Sequence, residues 1–210
     1  MKSRHADIVI IGAGSTGLST AYELAKAGAD VLVVDKRSLA MEAAGRNPGG
    51  IRQIGRDANE VPLMIQAMRR WHNLEEELGC ALEIEEDGYL WVALSEQDLE
   101  TQRQLVERDT AFGIEEYLLD RRQIKEMAPA ISDFVHGGIH SPTDLIANPF
   151  LVARGYHDGA VRHGGRFLFG ADVLDLRIEG GRVRGVITDQ GEISTDTVIN
   201  AAGPWSDRIG

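Results

Sequence analysis

The sequence predicts an α/β fold, a parallel sheet covered by helices, with a smaller α+β segment inserted into it. Three observations lead there. The opening stretch is strand, helix, strand by pattern; the middle of the chain changes character; and the last stretch returns to the opening pattern.

Residues 6–11 form a continuous apolar run, as expected of a parallel strand buried on both faces, and stop at Gly12-Ala13-Gly14-Ser15-Thr16-Gly17. Leu18, Ala21, Tyr22, Leu24 and Ala25 then recur at helical spacing, and Gly28 is placed to close that helix as a left-handed cap. Residues 31–34 make a second buried strand, closed by Asp35-Lys36-Arg37. Residues 38–57 contain Gly45, Gly49, Gly50, Gly55 and Pro48, a loop too long and too rich in glycine to be mere connection. A single helical stripe follows, through Val61, Met64, Ile65, Met68, Trp71, Leu74 and Leu78, ending at Gly79.

Residues 88–94 have strand composition, and Ser95 with Asp98 opens a helix to about Phe112. Residues 115–140 read as short mixed elements punctuated by Pro129, Gly137 and Gly138. The expected organisation is therefore a first domain made of residues 1–79 and 146–210, with a partial α+β domain at 80–145. In the closing stretch Asn148 caps a helix with Pro149 at its first position, and the helix runs to Gly164. Strands at 166–169 and 173–178 lead through Gly180-Gly181 into 183–188, then through Gln190-Gly191 to a last apolar strand at 197–200.

Composition removes several functions. Hydrophobic residues make up 43% and charged ones 26%, which excludes a disordered chain. With 33 acidic against 22 basic residues the formal charge is -11, which repels nucleic acid and anionic lipid alike. Cys80 is the single cysteine, so no intrachain disulfide or thiolate cluster forms. No apolar run approaches the roughly 20 residues of a membrane span, and no secretory leader is visible; a cytoplasmic location is expected. The 24 glycines stand out against a usual share of about 7%.

Gly12, Gly14 and Gly17 match G-x-G-x-x-G in the context that gives the pattern meaning, with a strand before and a helix after. The first glycine permits the turn, the second admits a pyrophosphate, and the third lets helix pack on strand. The helix N-terminus offers free N–H groups and a partial positive charge to phosphate. Asp35 lies 18 positions beyond Gly17, where a carboxylate accepts hydrogen bonds from an adenosine ribose. A Rossmann-like dinucleotide site follows. An acid at this position disfavours NADP, and both NAD and FAD remain open.

Three segments together carry a resemblance. They are the glycine motif through Ser19 with Asp35, Lys36 and Arg37; Ala44-Gly45-Arg46-Asn47-Pro48-Gly49-Gly50-Ile51-Arg52; and Val198-Ile199-Asn200-Ala201-Ala202-Gly203-Pro204-Trp205-Ser206. The chain resembles the D-amino-acid oxidase superfamily of FAD-dependent oxidoreductases, nearest to the β subunits of sarcosine oxidase and imino-acid dehydrogenases. The resemblance implies that Gly12, Ala13, Gly14, Ser15, Thr16 and Gly17 hold the FAD pyrophosphate and Asp35 the ribose, with Lys36 and Arg37 flanking adenine. It implies a wrapping loop from Ala43 to Arg52, with Ala44, Gly45, Arg46, Asn47, Gly49, Gly50, Ile51 and Arg52, an adenine contact from Val173, and closure by Ala201, Ala202, Gly203 and Trp205. The residues themselves leave Arg46 and Arg52 open between favouring negative charge on reduced flavin and simple pairing with a nearby acid.

Departures from the family pattern matter as well. No histidine occurs in residues 38–57, so FAD is expected to be non-covalent, and Cys80 is read as a packing residue. Relatives are close to twice this length, so the chain corresponds to their N-terminal part. His136 and His140 are separated by Gly137-Gly138, which opposes a helical metal pair. Tyr89 and Trp91 share one strand face, as core or as substrate-cavity wall. The function expected is oxidation of an amine or amino acid, with secondary amino acids such as sarcosine or proline favoured. The rivals are a silent dinucleotide-binding fragment that needs a complementary chain, and an NAD-binding dehydrogenase.

Overall fold

The structure, a computed structural model, describes residues 4–209. Its elements in chain order are β1 (Arg4–His5), β2 (Ile8–Ile11), α1 (Ser15–Lys26), β3 (Val31–Asp35), β4 (Gly50–Ile51), α2 (Val61–Trp71), α3 (Leu74–Leu78), β5 (Tyr89–Ala93) and α4 (Glu96–Ala111). There follow β6 (Tyr117–Asp120), α5 (Arg121–Met127), β7 (Gly137–Ser141), β8 (Leu145–Ile146), α6 (Pro149–Arg162), β9 (Arg166–Phe169), β10 (Val173–Glu179), β11 (Arg182–Thr188), β12 (Gly191–Ser194) and β13 (Thr197–Asn200).

The chain divides into two compact units. The first takes residues up to Pro48, Leu78–Leu82 and Pro149 onward, and the second takes Gly49–Glu77 and Glu83–Asn148. The second unit thus begins some thirty residues before the position 80 expected from composition. The reason is a pairing too short to leave a pattern: Gly50 and Ile51 of β4 run antiparallel to Ile146 and Leu145 of β8. This ties the chain ahead of α2 to the end of the inserted segment. The expected single helix over residues 61–78 is also two. The Asn73 N–H bonds the Arg70 carbonyl and its side-chain amide bonds the Arg69 carbonyl, closing α2 before α3 begins.

In the first unit a wholly parallel sheet has the order β13-β2-β3-β9, with Ile8 opposite both Val31 and Thr197 and Leu32 opposite Arg166. A second sheet, β1-β12-β11-β10, pairs β10, β11 and β12 as an antiparallel meander with β1 parallel to β12. Between the sheets lie Val9, Leu32 and Val34 with Val186, Ile193, Ala6 and Ala171, all buried. Fully burying each of the larger of these side chains is worth about 1.5–3 kcal/mol.

Strand alternation turns Ile10, Val31 and Val33 to the opposite face, which α1 covers with α6 packed beside it. Close approach of these helices needs small residues. A Cβ on Gly159 of α6 would lie 2.9 Å from the ring of Tyr22, which is 2% exposed. The Tyr22 ring meets Tyr156 and His163 edge-on. Gly28 has φ +88°, its N–H bonds the Ala25 carbonyl, and Ala29 N–H bonds that of Leu24. This is the left-handed C-terminal cap the sequence signalled, and it satisfies two end carbonyls of α1.

In the second unit β7 is the centre of the antiparallel sheet β5-β7-β6. Its two glycines are structural requirements. A Cβ on Gly137 would lie 2.7 Å from the Leu119 carbonyl oxygen, and one on Gly138 would lie 2.6 Å from that of Trp91. Helix α4 starts at Ser95, whose hydroxyl accepts the Asp98 N–H, and α5 starts on a reciprocal cap between Asp120 and Gln123. Tyr89 lies under the Arg52 guanidinium, 5.4 Å from the ring centre, and Trp91 packs on the backbone of Gly55.

This unit also buries acids. Asp109 and Asp144 are fully buried and Glu116 is 5% exposed. Asp109 pairs with Arg108 at 2.6 Å, and Asp144 accepts the Gln53 N–H at 2.8 Å. Neither carboxyl oxygen of Glu116 has a protein partner. Burial first, then the charges of Asp109 and Asp144, push its pKa up to about 7. Burial likewise raises Asp144, against the hydrogen bond from the Gln53 backbone.

Candidate functional site

The C-terminal ends of β2, β3 and β13 meet at one cleft of the first unit. Strand order reverses around β2, which pairs with β3 on one side and with the much later β13 on the other. Open α/β sheets bind ligands in the crevice at such a point. The cleft encloses about 780 Å³, part of it open to solvent.

Its floor is the glycine turn. Gly12 N–H bonds the Val34 carbonyl, and Ala201 N–H bonds that of Ile11, so the turn is anchored to both neighbouring strands. Gly12 has φ +108°, and a Cβ there would lie 2.4 Å from the Ala201 oxygen. A Cβ on Gly17 would lie 1.9 Å from the Gly12 oxygen. Those two glycines are required by the protein's own packing. Gly14 is not: the nearest atom to a Cβ there is that of Ala44 at 3.9 Å, and Gly14 lines the cleft. The space beside it is left for something other than protein. Ser15, Thr16 and Gly17 form the first turn of α1, where backbone N–H groups have no intrahelical acceptor.

Asp35 ends β3 and faces this floor. One carboxylate oxygen accepts the Ala13 N–H at 2.7 Å, the other the Arg37 N–H at 2.7 Å. The carboxylate is thereby fixed in orientation and keeps lone pairs for further donors. Lys36 extends its Nζ to 4.2 Å from the centre of the Trp205 ring, joining the end of β3 to the turn after β13. Asn200 builds that turn, Gly203–Arg208: its amide donates to the Ser206 carbonyl and its oxygen accepts the Ala202 N–H.

Among the residues singled out from sequence, Gly12, Ala13, Gly14, Asp35, Lys36, Ala44, Val173, Ala201, Ala202, Gly203 and Trp205 line this cleft. Arg37, Gly45, Arg46 and Asn47 border it in the first unit without lining it. Arg37 and Arg46 both pair with Glu42, and the Asn47 amide bonds the Ala44 carbonyl. Gly49, Gly50, Ile51 and Arg52 belong to the second unit. Ala43, where the wrapping loop was expected to begin, also lines the cleft, but sequence reasoning missed the wall formed by Ser38, Ala40, Met41 and Glu42. Its one anomaly is Ala40, buried at φ +50°, which no residue pattern announces. Among the described residues no cluster of side chains has the geometry of a metal site, and no helix is long and apolar enough to cross a membrane. Cys80 is exposed rather than packed inside, though its sulfur lies against Gly155.

Comparison with known proteins agrees with this geometry. The chain is 31% identical to a D-amino acid dehydrogenase of Rhizobium rhizogenes, over 95% of its own length and 61% of that protein's. It is 29% identical to mouse mitochondrial sarcosine dehydrogenase, over 98% of its length and 23% of the relative's. The crystal structure of L-proline dehydrogenase from P. horikoshii superposes with a TM-score of 0.91 at 30% identity, covering 99% of this chain and 55% of that one. The chain thus spans less than two thirds of each of these relatives. Residues 7–210 match the family model described as FAD dependent oxidoreductase (DAO). With the glycine turn, the oriented carboxylate of Asp35 and the reversal of strand order already in place, this match establishes that the chain belongs to the DAO family of FAD-dependent oxidoreductases.

Proposed function

We propose that this chain is the dinucleotide-binding half of an enzyme that oxidises the carbon–nitrogen bond of a small amine or amino acid, with secondary amino acids such as sarcosine or proline favoured. The observation that carries the reading is the space beside Gly14, bordered by the free N–H groups of α1 and by the oriented carboxylate of Asp35. These groups fit FAD. Backbone N–H groups at the start of α1 would hold the pyrophosphate, and Asp35 would accept from the ribose hydroxyls. Lys36 and Trp205 would border the adenosine end, with non-covalent contacts throughout. When bound, the flavin supplies the acceptor for a hydride equivalent from the carbon bearing nitrogen, leaving an imine that water hydrolyses. The amine and amino-acid dehydrogenases among the relatives support the substrate class. Groups that bind the substrate would come in large part from a complementary chain or the remainder of a longer one.

The test is reconstitution. The 210-residue chain, freed of nucleotide and incubated with FAD, is expected to leave gel filtration yellow with about one flavin per chain. A colourless product refutes the cofactor assignment, and retention of NAD instead establishes the rival. Anaerobic bleaching by sarcosine or proline, once the complementary part is supplied, tests the substrate class. Bleaching by neither, with reduction by a primary amino acid, overturns the preference for secondary amines.

A further inference from the structure

The two readings left open for Arg46, a cofactor group or a surface ion pair, meet in one residue. Glu42 is the acid that Arg46 pairs with, Nη2 to Oε2 at 3.4 Å, and the other oxygen of the same carboxylate pairs with Arg37 Nε at 3.1 Å. Glu42 also lines the cleft, whereas neither arginine does. A carboxylate in the wall of a site suited to a diphosphate opposes its ligand unless its charge is met elsewhere. Here two guanidinium groups meet it from outside the wall. The glutamate is the least exposed of the three, 26% against 54% for Arg37 and 66% for Arg46.

The backbone holds this arrangement in place. Arg37 N–H is fixed on Asp35. Ala40, in its left-handed conformation, sends its N–H to the Ala13 carbonyl, tying the loop before Glu42 to the glycine turn. Beyond Glu42, Gly45 N–H bonds the Glu42 carbonyl, and a Cβ on Gly45 would lie 2.1 Å from the Ala40 oxygen. The loop is therefore closed on itself around Glu42, with both arginines within reach of a single carboxylate.

We infer that Glu42 is a positioning residue for the dinucleotide site. Its carboxylate gathers Arg37 and Arg46 at the edge of the cleft and attenuates the positive charge that an entering diphosphate meets. The three side chains sum to one positive charge, and a diphosphate draws on the arginines only by competing with a carboxylate already seated between them. Affinity for the pyrophosphate portion is held below what the two arginines alone give.

This inference rests on the assignment of the cleft to FAD, and ADP separates the two. ADP carries the adenosine and diphosphate of FAD without its flavin, and calorimetry with the 210-residue chain reads its binding at low and high salt. Glu42→Gln is expected to tighten ADP binding by about two- to fivefold at low ionic strength, the scale of a partly exposed ion pair, and to steepen its salt dependence. Adding Arg46→Gln to that variant removes the gain. Arg46→Gln alone, which leaves the carboxylate on Arg37 only, weakens ADP to a similar degree and serves even where Glu42→Gln does not fold. Unchanged or weaker ADP binding by a folded Glu42→Gln overturns the inference, as does a gain that survives loss of Arg46. A wild-type chain that binds neither ADP nor FAD refutes the cofactor assignment itself.

Discussion

Replacing Glu116 with glutamine removes the one acid of the second unit that is buried with neither oxygen partnered. Burial and the neighbouring Asp109 and Asp144 lift its pKa from 4.5 to about 7. Each tenfold change in proton affinity is worth about 1.4 kcal/mol, so the native carboxyl holds its proton more strongly than the unfolded one by about 3 kcal/mol. The native state therefore binds more protons than the unfolded state between pH 4.5 and about 7. Stability falls as pH rises through that window, and the full loss of about 3 kcal/mol is reached above it. Asp144, also raised by burial, adds to the slope in the same direction.

Glu116→Gln is neutral at every pH and nearly isosteric, and its amide offers donors to the two aspartates. It is expected to match the wild type below about pH 4.5 and to exceed it by up to about 3 kcal/mol at pH 8. Hydrogen exchange of the β6 and β7 amides, corrected for intrinsic rate, reads this unit alone, which a global melt of a two-unit chain does not. A wild type whose protection in these strands is the same at pH 5 and pH 8 refutes the reasoning. So does a variant that keeps the wild-type slope.

Two further perturbations separate packing from ligand binding at the cleft. Gly17→Ala, with its Cβ 1.9 Å from the Gly12 oxygen, is expected to lower stability by about 3 kcal/mol or more in urea unfolding, whereas Gly14→Ala leaves it within about 0.5 kcal/mol and weakens FAD at least tenfold. A Gly14→Ala chain that binds FAD normally removes the role given to that glycine. Asp35→Asn turns an acceptor of two backbone N–H bonds into a group that must point an amide at one of them, so it should cost about 1–3 kcal/mol even without cofactor. Unchanged thermal stability of the cofactor-free variant would show that those two bonds contribute nothing.

The core of the first unit was legible because each of its signals is local. An apolar run, a three-glycine turn, a helical stripe and a glycine cap occupy 23 consecutive residues, 6–28, and need no distant partner to be recognised. What escaped depends on distance in the chain. The pairing of β4 with β8 joins Gly50 to Ile146 across two residues per strand, too few for alternation to register. Gly137 and Gly138 read as punctuation, yet they lie in a central strand because neighbouring carbonyls leave no room for side chains. Periodicity alone also carried the helix past Asn73, where side-chain bonding to the backbone ends it. At the cleft, the spacing of Asp35 from the glycines was visible, but its hold on two backbone N–H groups was not. The wall at Ala40, Met41 and Glu42 is made by the path of the loop rather than by residue type.

The parallel sheet sets an order on biosynthesis. β2 leaves the ribosome long before its partner, since one of its two edges pairs with β13, 189 residues later between Ile8 and Thr197. Until that strand emerges, an apolar segment of the nascent chain has backbone groups open to any passing strand. Closing so long a loop is slow, since its entropic cost precedes the contacts that reward it. A ribosome that pauses anywhere before β13 therefore holds a chain with its central strand half paired, the state in which this sequence is most exposed to chaperones and to aggregation.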